Sequence, residues 1–145
     1  NSMDAHIQEF ISQLDALIQQ AQKSGDTYAF IEPAYDLFDE IETIEHPFDF
    51  VEPIFLLLEK SPNIDFGGPG PIGSFLEKFY QNGYEYKLLQ SLERKPTQYT
   101  VYLLSRCCNN SSDPNKEKYV ALIRSYANSN FLSDEWRKII NEKYG

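Results

Sequence analysis

Cysteine is nearly missing from this sequence. The two present, Cys107 and Cys108, are neighbours. A disulfide between adjacent residues would be badly strained, and two cysteines cannot staple a small fold, so stability must come from an ordinary core. The pair reads as two small residues on a helix, one of them buried, and the cytoplasm is the expected compartment. Histidine is equally scarce. His6 falls on an early helical turn and His46 precedes a proline. Neither has a cysteine or carboxylate at metal-ligand spacing, so no metal site and no Cys–His nucleophile pair is expected. No run of about 18 apolar residues exists, which excludes a membrane-spanning helix. No basic stretch followed by an apolar run opens the chain, so no signal peptide is expected. Asn1 and Ser2 precede Met3, and the expectation is that they are a cloning remnant. No segment alternates with period two for long enough to read as a strand.

Aromatic residues, by contrast, make up 14% of the 145 residues, with ten Phe and ten Tyr, which points to a folded chain and not a disordered one. The length suits a single domain from Met3 to Gly145. The net charge of −9 is unevenly spread. Asp26 to Asp65 holds eleven acidic residues against one base, Lys60, and so carries −10, while the rest of the chain nets +1. Such a field repels nucleic acid and anionic lipid and draws in cationic partners.

Hydrophobic spacing predicts about eight helices. The first is capped by Asp4, carries Ile7, Phe10, Ile11, Leu14, Leu17, Ile18 and Ala21, and is closed by Gly25. The second runs from about Tyr28 to Ile44, with Pro33 either opening its main part or kinking it, and His46-Pro47 ending it. The third covers Phe48 to Lys60. After a loop rich in glycine and proline, Pro71 opens a fourth, which Asn82-Gly83 terminates. Further helices follow from Tyr84, from a Thr97 cap, from Asp113-Pro114 and from a Ser133 cap. The fold class is therefore all-α: antiparallel hairpins packed as a helical bundle or a short HEAT-like stack. An echo at an offset of twenty favours the stack. Phe30-Ile31-Glu32-Pro33 with Tyr35, Leu37 and Phe38 matches Phe50-Val51-Glu52-Pro53 with Phe55, Leu57 and Leu58.

Catalytic patterns are weak. The carboxylates of Asp36, Asp39, Glu40, Glu42 and Glu45 could in number supply an acid–base pair. An acidic, solvated face is nevertheless a poor place to raise one carboxyl pKa. The run Gly67-Gly68-Pro69-Gly70-Pro71-Ile72-Gly73 superficially suggests a phosphate cradle. Two prolines delete N–H donors and Asp65 would repel the anion, so a stiff, shaped contact loop is the better reading. No catalytic residue, cofactor or enzyme activity is expected.

The block Asp65-Phe66-Gly67-Gly68-Pro69-Gly70-Pro71-Ile72-Gly73-Ser74-Phe75-Leu76-Glu77 resembles one in small bacterial immunity proteins that neutralise polymorphic toxins, including those of contact-dependent growth inhibition. The stretch Ser91-Leu92-Glu93-Arg94-Lys95-Pro96-Thr97-Gln98-Tyr99-Thr100-Val101-Tyr102-Leu103-Leu104-Ser105-Arg106 is similar to a second block of that group. Tyr102 and Ser105 stand where that pattern has Trp and Asn, and Gly73-Ser74 replaces a bulkier pair. The likeness spans Asp65 to Asn109 and implies a role, not a set of inhibitory residues.

That role is an immunity protein that binds a cognate toxin C-terminal domain, a basic nuclease, and covers its active-site cleft with carboxylates in place of phosphates. The protein would itself bind neither nucleic acid nor membrane, and would act as a monomer or in a 1:1 heterodimer. The expected partner-binding residues are Glu32, Asp36, Asp39, Glu40, Glu42, Glu45, Asp49, Asp65 and Phe66. On the second helix, Leu37, Phe38, Ile41 and Ile44 should point inward, leaving Asp36, Asp39, Glu40 and Thr43 outward. The alternative is a helical-repeat adaptor that binds a peptide or basic protein.

Overall fold

A computed structural model describes residues 2–145; of the expected two-residue remnant, Asn1 lies outside the described residues. The chain is 70% helical and no strand occurs among the described residues, so the fold is all-α. The described residues form eight α-helices: α1 (Ser2–Ser24), α2 (Thr27–Glu42), α3 (Val51–Glu59), α4 (Gly70–Glu77), α5 (Tyr84–Arg94), α6 (Gln98–Cys107), α7 (Lys116–Ser125) and α8 (Asp134–Lys143). A 3-10 turn over Pro47–Phe50 precedes α3. No helix among the described residues is long and apolar enough to cross a membrane.

Two compact units emerge, residues 1–87 and Leu88–Gly145, with the division falling inside α5. In the first, α1 buries Phe10, Leu14, Ile18 and Ala21 at helical spacing, and α2 buries Phe30, Ala34, Leu37, Phe38 and Ile41. α2 packs on α1 and α4. The core between them is aromatic. Phe10 meets Phe38 and Phe50 edge-to-face at 5.1 and 5.3 Å, and Phe38 lies 5.1 Å from Phe75. Such pairs add roughly 0.5–1.5 kcal/mol each beyond the area they bury. The second unit is built on α6, α7 and α8 around Val101, Leu103, Leu104, Tyr119, Ile123 and Ile140.

Helix starts follow local chemistry. Thr97 caps α6 through a reciprocal box with Thr100: its hydroxyl accepts from Thr100 N at 3.2 Å, and Thr97 N donates to the Thr100 hydroxyl at 3.0 Å. Ser133 caps α8 by accepting from Trp136 N. Gly25, with φ of +70°, ends α1 where an L side chain would be strained.

Several boundaries differ from the sequence reading. Asp4 lies in the first turn of α1 and not at its cap. The expected Phe48–Lys60 helix is divided, because Pro47 opens a separate 3-10 turn before α3. α2 stops at Glu42, ahead of His46, whose φ of 59° places it in the left-handed region. Ile44, expected inward, is therefore beyond the helix and half-buried. α4 ends at Glu77, because the backbone then tightens into i→i−3 bonds from Lys78, Phe79 and Tyr80. α7 starts at Lys116, since the Asp113 carboxylate accepts from Asn115 N and holds a turn ahead of the helix.

The proline echo does not survive folding as an equivalence. Pro33 sits well inside the continuous α2, whereas Pro53 is in the first turn of α3. Pro33 is tolerated because the Ala29 carbonyl it cannot bond belongs to an exposed residue, where water can take the bond.

Candidate partner-binding face

The candidate face is the solvent side of α2. Asp26 positions it: its carboxylate accepts from Tyr28 N at 3.0 Å and Ala29 N at 3.4 Å, satisfying two orphan donors of the first turn. The buried residues 30, 34, 37, 38 and 41 define the inner stripe. With 3.6 residues per turn, the opposite line must hold Tyr28, Glu32, Tyr35 and Asp39, flanked by Asp36, Glu40 and Thr43. All seven are exposed. The face spans about 24 Å, at 1.5 Å of rise per residue. No ion pair to Glu32, Asp36, Asp39 or Glu40 occurs among the described residues. Four carboxylates thus stand close together without internal neutralisation.

The remaining expected contact residues divide. Glu45 and Asp49 are exposed beyond the end of α2, with Glu45 3.5 Å from His46. Glu42 is engaged by Lys78 through a direct ion pair, so its counter-charge is supplied from within. Asp65 is exposed and accepts from Gly67 N at 2.8 Å, shaping its loop. It shares a groove of about 540 Å³ with Gly25, Asp26, Thr27, Tyr28, Ile31, Gly67 and Gly68, which brings it to the N-terminal end of the α2 face. Phe66 is corrected outright. It is only 2% exposed and packs edge-to-face on Phe30, with ring centroids 5.7 Å apart, so it is a core residue and cannot reach a partner.

Three residues escaped the sequence reading. Tyr28 (85% exposed), which opens the expected helix, and Tyr35 (41%), part of the echo at an offset of twenty, both stand on the acidic face. Their signal was available: taken on a helical wheel they fall opposite Phe30 and Leu37. Asp26 follows Gly25, a stop-then-cap pair, and marks both the start of α2 and a wall of the groove.

Elsewhere, no group of three or more His, Cys, Asp or Glu among the described residues is placed to hold a metal ion. Cys107 and Cys108 are both buried free thiols. Burial pushes the Cys108 thiol pKa above its ordinary value of 9.0, against the opposing pull of Lys116 and Lys143. Comparison with family models, curated proteins and solved structures finds no match for this chain.

Proposed function

We propose that this protein is an immunity-type inhibitor that binds a basic toxin domain, of nuclease chemistry, through the outer face of α2 and covers its substrate cleft. The observation that carries this reading is the pairing on one helix face of four carboxylates lacking internal ion pairs with two exposed tyrosines. Carboxylates complement a cleft built for phosphates and accelerate encounter. Tyrosine contributes rigid area with a polar tip, the residue type that concentrates binding energy at interfaces. Burying an acidic helix without a cationic partner would be costly, so the same face disfavours nucleic acid and anionic lipid.

The test uses the C-terminal domain of a toxin encoded directly upstream of this gene. The triple substitution Asp36→Lys, Asp39→Lys, Glu40→Lys should leave helicity and melting nearly unchanged, because exposed charges contribute little to stability. It should slow association by about 10- to 100-fold at low salt. Tyr28→Ala with Tyr35→Ala should instead speed dissociation. A triple variant that associates as fast as the native chain at low salt overturns the proposal.

A further inference from the structure

A second feature lies in the other unit and is independent of the α2 face. The end of α6 supplies Cys108 and Asn109, α7 supplies Lys116, Val120 and Arg124, and the end of α8 supplies Lys143, Tyr144 and Gly145. Together they line a pocket of about 230 Å³. Lys116, Val120 and Arg124 are spaced by four residues and so share one line of α7. Three cations therefore converge on one small pocket in a protein whose net charge is −9.

Their occupation by internal partners is slight. Arg124 Nε donates to the Tyr144 carbonyl at 2.5 Å, leaving its terminal amino groups without a partner among the described residues. Lys143 lies over the Tyr144 ring, 5.4 Å from its centroid. Neither lysine has an ion pair among the described residues. Asp113 and Glu117 are the acidic groups that act on Cys108 at the pocket wall. Asp113 already accepts from Asn115 N at 2.8 Å. Tyr144, 6% exposed, is a largely buried part of the lining.

We infer that this pocket binds a small phosphate-bearing anion, held by Lys116, Arg124 and Lys143. Arginine offers a planar fork suited to phosphate oxygens, and the lysines add mobile point charges. The volume equals on the order of seven waters at about 30 Å³ each, enough for a diphosphate group and part of its hydration.

The test is a titration of the ¹⁵N-labelled chain with inorganic pyrophosphate, with sulfate at matched ionic strength as the comparison. Saturable shifts confined to residues near 108–109, 116–124 and 143–145 are expected, with a Kd of about 1 mM or tighter. The double variant Lys116→Gln, Lys143→Gln should keep its spectrum dispersed and weaken binding by about tenfold or more. Shifts that do not saturate, that scatter over surface lysines, or that persist unchanged in the double variant overturn the inference.

Discussion

Phe66 separates a contact loop from a core loop, and its removal can be predicted in some detail. The residue belongs to a glycine–proline segment that reads as surface, but its ring is 2% exposed and meets Phe30 at 5.7 Å with an interplanar angle of 64°. Phe66→Ala should therefore cost about 3–5 kcal/mol, the range for truncating a fully buried phenylalanine. With a urea dependence of about 2 kcal/mol per molar, the midpoint should fall by about 2 M. Phe30→Ala should cost a similar amount. The double variant should lose less than the sum of the two, by roughly 0.5–1.5 kcal/mol of edge-to-face coupling. Far-UV circular dichroism is the proper probe, because the single tryptophan, Trp136, reports on the other unit. A Phe66→Ala chain that melts within about 1 kcal/mol of the native one would refute the burial argument. If that variant also lost toxin binding, Phe66 would return to the surface and to the contact list.

Thr97→Ala should destabilise by about 1–2 kcal/mol, since it breaks a buried capping box, whereas Thr97→Ser should recover most of the loss in the same denaturation assay. Gly67→Ala should cost about 1–2 kcal/mol, because φ is +82° and the new methyl would lie 2.8 Å from Ile31 Cδ1; loss-free substitution would mean the loop is not held against α2. Cys108 and Tyr126 both have pKa values raised by burial from ordinary values of 9.0 and 10.0. The unfolded chain then releases these protons first, so stability is full below about pH 9 and is lost as pH rises through the folded values. Cys108→Ala should reduce the alkaline loss seen by thermal melting, and an unchanged pH profile would contradict the assignment.

The sequence by itself determined the helical class, because a 3.6-residue period in the apolar residues has no competing period-two segment. It determined the caps of α6 and α8, where Thr97 and Ser133 act within one turn of themselves. It also placed Asp36, Asp39, Glu40 and Thr43 outward on α2, since Leu37, Phe38 and Ile41 fix the phase of that helix. Such features are local, and their physics is complete within a few residues. Tyrosine was different. Tyr28 and Tyr35 are exposed while Tyr84, Tyr99 and Tyr119 are buried; the amphipathic ring itself carries no mark of which it will be, and only the phase of α2 sets Tyr28 and Tyr35 apart. Phe66 lacked a period because its loop has none, and only its packing on Phe30 showed that it points inward. The start of α7 moved because Asp113, only 6% exposed, caps a turn instead of the helix. The pocket joining the ends of α6 and α8 to α7 was invisible for the same reason: its cations lie up to 27 positions apart in the chain, and only tertiary packing brings them to one place.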